Sequence, residues 1–377
     1  MVGAGIGGLS AGIALRKAGW NVRMFERAAS PRELGFGLLL APNAFVALRD
    51  LGVADTVLSR GWEPTRGELR RVDGTVLKRA ELPPRVLGGP LVVALRQALH
   101  GSLLEAVGIE TISLASEVSG FRRSGSAVVL ELASGQTVEG DLLIGADGMH
   151  SVIRRQLHPA EPPPRSSGIV AVRGGVHGAI RHIEPNSGIY YLGPGIEAFL
   201  VRASETGIYW ALSLAQELIP GVMREPGAIL AHLLPGMDPV FRAVAAQTED
   251  LRCDELFDRD PLTTWGDGPV TLLGDAAHPV LPHTGQGAAQ AMTDAVALGR
   301  ALTADGSLEQ ALRAYELDRQ RKTAALLAQG RRTARVMRST SPLLDAARGV
   351  ALRLMPITTF LKLFARINHR AGTDVTA

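Results

Sequence analysis

Cysteine is nearly absent: the 377-residue chain has one, Cys253. An internal disulfide framework and a cysteine-based zinc site are therefore excluded, and a reducing, cytoplasmic compartment is expected. Lysine is scarce too, occurring only at 17, 78, 322 and 362, so the 40 basic residues are nearly all arginine. They interleave with 37 acidic residues to a net charge of +3. That leaves no concentrated basic face of the kind nucleic acid needs, and anionic small ligands are the better reading of the arginine excess. No apolar run approaches about 20 residues, so no membrane-spanning helix is expected. No basic start followed by an apolar run marks a secretion signal. The apolar C-terminal stretch "RLMPITTFLKLFARI" is broken by charge and proline. It is read as a packed terminal helix rather than an interfacial membrane helix, so membrane association is not expected.

What is present is a hydrophobic content of 46%, enough for a large core in about two domains. The chain opens "MVGAGIGGLSAG". Gly3, Gly5 and Gly8 form G-x-G-x-x-G, with Ile6 and Gly7 between them. The first glycine permits a tight turn, the second lets a pyrophosphate approach backbone, and the third lets the following helix pack close to a strand. The helix start offers free N–H groups to phosphate. "NVRMFERA" reads as a second strand ending at Glu26 and Arg27, and Glu26 has the spacing of a carboxylate that accepts ribose hydroxyls. This is a dinucleotide site; by itself it does not separate FAD from NAD, and the carboxylate disfavours a 2′-phosphate.

Further along, "PLVVALRQALHGSLLEAVG" reads as a short strand and then a helix, and "AVVLELASGQTVEGDLLIGADG" as a hairpin followed by a buried strand. Residues 166–215 are rich in short strand-like runs, suggesting an antiparallel sheet inserted in an α/β chain. "GPVTLLGDAAH" is another buried strand, "GQGAAQAMTDAVALGRAL" a long helix, and 308–367 is mostly helical.

Three motifs occur in order: the glycine loop, D-G-x-x-S-x-x-R (Asp147, Gly148, Ser151, Arg154), and G-D-A-A-H-P…G-Q-G (Gly274, Asp275, His278, Pro282, Gly285, Gln286, Gly287). With Arg96 in "VVALRQALHGSLLEA", the chain resembles the class A flavoprotein monooxygenases, the family of para-hydroxybenzoate and salicylate hydroxylases, over about residues 1–330. The resemblance implies a Rossmann-like FAD-binding domain (1–165 with 255–330, including a substrate-side segment near 60–90). It also implies an inserted antiparallel substrate sheet (166–254) and a helical C-terminal region (331–377). It implies FAD as cofactor and NADH or NADPH as co-substrate. Asp275 would bind a ribityl hydroxyl, Pro282–Gly287 would pass the isoalloxazine ring, and Arg96 would face the flavin. Asp147 and Gly148 would serve FAD and the nicotinamide, with Arg154 on that shared surface. Relatives carry several apolar residues ahead of the glycine loop. Here Met1-Val2 supply only the last step of that strand, so a truncated start is expected.

The implied reaction inserts one atom of O₂ into an aromatic or other electron-rich small molecule through a flavin C4a-hydroperoxide. Alkene epoxidation, a flavin dehydrogenase and a non-catalytic FAD-binding protein are the alternatives. A disulfide reductase is excluded: there is neither a second glycine fingerprint nor a thiol pair. The four tryptophans (20, 62, 210 and 265) stand alone, against the W-x-W-x-I-P segment of flavin halogenases. Relatives have Glu-Asp-Ala where this chain has Thr293-Asp294-Ala295, and Trp-Arg where it has Val172-Arg173, which puts the substrate pocket rather than the cofactor in doubt. Substrate-side candidates are Arg173 and Tyr190, with His177, His182, Tyr191, Arg202 and Tyr209 behind them. His283 in the flavin loop is the candidate for contact with substrate or flavin edge. His278 is expected to shape the Gly274–Pro279 turn. The expected partners are a small-molecule substrate and O₂, without nucleic acid, in a monomer or homodimer.

Overall fold

A computed structural model describes residues 1–31, 37–178, 181, 183–221, 223, 225–282 and 285–369, with side chains 85, 86, 364 and 366–369 left aside. In chain order, α1 (Ile6–Lys17), β1 (Met24–Phe25), β2 (Gly37–Leu40), α2 (Pro42–Leu51) and α3 (Ala54–Ser59) come first. β3 (Arg66–Arg71), β4 (Val76–Glu81), α4 (Pro84–Leu87), β5 (Val92–Leu95), α5 (Arg96–Val107) and β6 (Ile112–Ser113) follow. Next are β7 (Val118–Ser124), β8 (Ala127–Leu132), β9 (Thr137–Gly140), β10 (Leu143–Gly145) and α6 (Val152–Leu157). Then come β11 (Arg165–His177), β12 (Ser187–Gly193), β13 (Ile196–Arg202), β14 (Gly207–Ala215), α7 (Pro226–Leu233), α8 (Pro239–Ala245) and β15 (Leu251–Asp258). β16 (Val270–Leu272), α9 (Gly287–Ala301), α10 (Leu308–Met337), α11 (Pro342–Leu354) and α12 (Ile357–His369) complete the order.

The nucleotide-binding unit is a parallel sheet. β1 pairs with β6 and β10 with β16. Val2 bridges the two pairs, parallel to both Phe25 and Gly145. Short as it is, this segment is fully engaged. Val2 N–H donates to Ile144 O and Ala146 N–H to Val2 O, both at 2.9 Å, while Phe25 N–H donates to Met1 O at 3.0 Å. Val2 is buried, and the core around it takes Leu9 and Ile13 of α1, Met24, Leu103 of α5, and Met292 and Leu298 of α9. α1 packs on α9 and α5.

The second sheet has the order β15-β11-β14-β13-β12-β3-β4 and is antiparallel except between β12 and β3. The strand-like runs read from the sequence are β11 to β14; the segment near 60–90 supplies β3 and β4. Because side chains alternate along a strand, register sorts the sheet into two faces. Val172, Leu212, Ala198 and Tyr191 lie in one cross-strand row and form a core with Ile229 of α7 and with Phe241 and Val244 of α8. The next row, Arg252, Arg173, Ala211, Phe199, Tyr190 and Leu69, points the other way. α10 runs unbroken through residue 331, starting from a capping box between Ser307 and Gln310.

Candidate cofactor and substrate site

A large cavity of about 1340 Å³ lies between the nucleotide-binding unit and the outward row of the second sheet. Its nucleotide end is lined by Gly3, Gly5, Ile6, Gly7, Glu26, Arg27, Asp147 and Gly148. α1 begins at Gly5 with no side-chain cap and no acidic residue in its first turn. Its first N–H groups, with the positive end of the helix dipole, are left for an anion. Gly8 is absent from the wall because it serves packing: a Cβ there would lie 2.1 Å from Gly3 O. The Glu26 carboxylate is fixed by two backbone donors, Ala4 N–H and Ala28 N–H, both at 2.9 Å. Lone pairs are left over for ribose hydroxyls. His100 of α5 donates Nε2–H to Ala4 O at 2.9 Å and so pins the glycine loop from behind. The sequence reading did not single out that residue.

Asp147 accepts from Ser151 Oγ at 2.6 Å and from Val152 N–H at 2.7 Å. Burial pushes its carboxyl up, and those bonds pull it only part of the way back. Arg154 differs from expectation. It is 1% exposed and off the cavity wall. Its Nη1 donates to Ala276 O at 2.9 Å and Ala277 O at 2.8 Å, and its Nε to Glu161 at 2.7 Å. The reason is that the short helical turn Gly274–Ala276 ends with carbonyls that its own backbone leaves open. Arg154 therefore braces the Gly274–Pro279 turn from beneath.

At the flavin end, Gly274, Asp275, Pro282, Gly285, Gly287, Ala288 and Arg96 line the cavity. α9 starts there with no side-chain cap and no acid in its first turn, which suits the negative charge of a reduced flavin. Gln286, expected on the wall, is fully buried behind it and its Oε1 accepts from Asn43 Nδ2 at 2.6 Å. His278 shapes the turn as expected: its N–H donates to Gly274 O at 2.8 Å. Its Nε2 lies 2.5 Å from Asp294 Oδ2, and the same oxygen accepts Gly274 N–H at 3.0 Å. Arg319 of α10 donates Nε–H to Asp294 Oδ1 at 2.6 Å. Burial alone would raise the Asp294 carboxyl; His278 and Arg319 together hold it below its ordinary value.

The sequence candidates divide on the substrate side. Arg173, Tyr190 and Tyr209 line the cavity. Burial raises the Tyr209 phenol, against the opposing pull of the Arg173 and Arg96 cations, so it stays protonated. Tyr191 is on the opposite face, its OH donating to Asp238 at 3.0 Å. Arg202 is turned to backbone carbonyls, Ile183 O at 3.4 Å among them. His177 is exposed at the end of β11. None of these three lines the cavity. His182 and His283 lie outside the described residues. Arg252, Phe199 and Glu197 also line the cavity and were missed; strand register alone places Arg252 opposite Arg173 and Phe199 opposite Tyr190.

The donor set fits FAD: a phosphate-ready helix start, a ribose-ready carboxylate, and a second uncapped helix start at the far end of one continuous cavity. When bound, the flavin supplies the redox and oxygen chemistry. The family model described as an FAD binding domain matches residues 1–194 and 256–329. The chain is 34% identical over 323 residues to the Aurachin C monooxygenase/isomerase of Stigmatella aurantiaca, covering 84% of this chain and 83% of that one. It is 33% identical over 344 residues to the 3-amino-4-hydroxybenzoate 2-monooxygenase of Streptomyces cremeus, covering 89% and 86%. In three dimensions it is similar to Klebsiella pneumoniae HpxO, solved with FAD and uric acid, with a TM-score of 0.90 at 25% identity over 98% and 96% of the two chains. The chain thus belongs to the class A FAD-dependent aromatic monooxygenases, which take electrons from NADH or NADPH and insert one oxygen atom of O₂ into an aromatic substrate.

Proposed function

We propose that the substrate is a hydroxylated aromatic ring carrying an acidic group, and that Arg173 and Arg252 hold that group. The observation that carries this is their register: the two are cross-strand partners on the row of β11 and β15 that lines the cavity. Arg173 has one anionic neighbour on the sheet, Asp254 at 3.2 Å. The Arg252 guanidinium makes no hydrogen bond or ion pair with another described residue, and its backbone lies in the β11–β15 ladder. Two adjacent guanidiniums, only one of them paired with a half-exposed carboxylate, suit a planar anion, which arginine binds with paired N–H donors. Apolar Phe199, Ala211 and Leu69 on the same row would bury the ring.

The reaction consumes one NAD(P)H and one O₂; one oxygen atom enters the ring and the other leaves as water. The chain's residues hold the ring, exclude water and orient the ring carbon to be attacked. Tyr209, kept protonated, is suited to donating a hydrogen bond rather than accepting a proton. His283, between Pro282 and Gly285 in sequence, is the candidate for the phenolic proton; both of those neighbours line the cavity. The relative named for 3-amino-4-hydroxybenzoate acts on a substrate of this kind.

The experiment is substrate-stimulated NAD(P)H oxidation with ¹⁸O₂ incorporation, across hydroxybenzoates, their carboxamides and neutral phenols. Acids should stimulate strongly and give labelled product. Equal stimulation by acids and carboxamides would refute the anion site.

A further inference from the structure

Helix α11 packs inside out. Its buried residues are Asp345 and Gly349. The Asp345 carboxylate takes Arg71 Nη2 at 2.6 Å and Arg348 Nη2 at 2.5 Å. Apart from Leu352, which packs inward against Leu69, Leu192 and Met337, its large apolar side chains lie outside: Leu343 is 83% exposed, Leu354 77%, Leu344 64% and Val350 58%. Leu343, Ala347, Val350 and Leu354 stand at i, i+4, i+7 and i+11, one face of a helix. Isolated exposed leucines are ordinary, whereas a stripe of them along one helix marks a surface that is covered in use. Of the terminal stretch expected to pack, α12 docks Ala365 on the cluster of Ala41, Leu87 and Leu91, while Ile357 and Leu363 stay 40% and 45% exposed.

Charge indicates what covers the stripe. Residues 331–377 hold nine of the chain's 40 basic residues and two of its 37 acidic ones, so the overall +3 is +7 here and −4 elsewhere. Arg335, Arg353 and Lys362, on α10, α11 and α12, are exposed. A second copy placed face to face would set this positive charge against itself. An anionic bilayer surface complements both parts, taking leucines at the acyl boundary and arginines among headgroups. No helix among the described residues is long and apolar enough to cross a membrane, so such contact is with the surface.

Against the sequence expectation of an even charge and no membrane association, we propose that α11, with the basic C-terminal region around it, seats this enzyme on an anionic lipid surface. Leu352 of α11 and Phe360 of α12 line the cavity, so the docked surface lies behind one wall of the substrate site.

The test is co-sedimentation of the FAD-loaded protein with vesicles of phosphatidylcholine alone or with about 30% phosphatidylglycerol, at low salt and at about 0.5 M salt. Binding to the anionic vesicles should exceed binding to the neutral ones by roughly tenfold or more and fall with salt. A Leu343→Glu/Leu354→Glu double variant should lose about tenfold of that binding while keeping its flavin spectrum and turnover. Absence of binding to the anionic vesicles, or binding unchanged in the variant, overturns the proposal. A concentration-dependent dimer that the variant abolishes, without vesicle binding, overturns it in favour of a second copy.

Discussion

Asp294 Oδ2 lies 2.5 Å from His278 Nε2, and the same oxygen accepts Gly274 N–H. One buried side chain of α9 therefore fixes both ends of the turn that carries Asp275 to the cavity. Asp294→Asn leaves the shape but removes the charge facing His278 and Arg319. Breaking one side of a buried charge pair costs about 3–5 kcal/mol, on the order of 10 °C in Tm for a chain of this size. Thermal melts and bound-flavin absorbance should show both a lower Tm and lower FAD content. Unchanged values of both would refute the anchoring role.

The parts legible in the sequence are those whose signal is local. The glycine loop, the strand into Asp147 and the helix from Gly287 each announce themselves by a motif and a period within about 20 residues. Arg154 was legible as a motif and misread as a place: its partners, the Ala276 and Ala277 carbonyls and Glu161, are visible only once the chain folds back on itself. Arg252 was illegible for the same reason. Nothing near "DLRCDEL" marks a substrate contact, and only register against β11 turns it toward the cavity. The Asn43–Gln286 contact joins residues far apart in sequence and leaves no local trace.

Two buried carboxylates, Asp294 of α9 and Glu316 of α10, titrate in opposite senses. Asp294 faces His278 and Arg319, which together hold it below the usual 3.8 against its burial. Its stabilising contribution is full above that value and is lost only as pH falls through the depressed one. The Asp294→Asn penalty should therefore shrink as pH falls below about 4, where the wild-type carboxylate is itself neutralised. Glu316 has Thr271 Oγ1 and Arg313, each at 2.7 Å, and Arg313 is 40% exposed. Burial raises Glu316 above 4.5, and these partners reverse only part of that. Its contribution is full below its ordinary value and is lost as pH rises through the raised one. The Tm of Glu316→Gln minus that of the wild type should thus increase as pH rises from about 4.5 to 8. A difference that falls with pH would reverse the assignment.

Gly8 and Gly101 give a paired test of close approach. A Cβ at Gly8 would lie 2.1 Å from Gly3 O. That oxygen cannot retreat, because Gly3 N–H is bonded to Phe25 O at 2.9 Å and Gly3 itself holds φ +93° against Ala146. Gly8→Ala should abolish FAD retention. At Gly101, inside α5, an added Cβ meets nothing within 4 Å. Gly101→Ala should stabilise the protein by about 0.5–1 kcal/mol through helix propensity. Flavin content and melts of the two variants check both directions.

The anion site predicts a gain as well as a loss. Removing Arg252 as Arg252→Gln deletes one charged donor pair, about 1.5–3 kcal/mol, or roughly 10–100-fold in KM for the acid. The KM for the matching carboxamide and the flavin content should not change. Asp254 competes with substrate for Arg173, which it meets at 3.2 Å with 48% of its own side chain exposed. Asp254→Asn should therefore free Arg173 and lower the KM for the acid. An exposed pair is worth at most about 1 kcal/mol, so the gain is expected to be roughly twofold to fivefold. Opposite movements of KM in the two variants, confined to the acid, are what two arginines acting on a substrate anion require. If both variants weaken acid and amide alike, Arg252 and Asp254 serve the packing of β15, and the acid group of the substrate is held elsewhere.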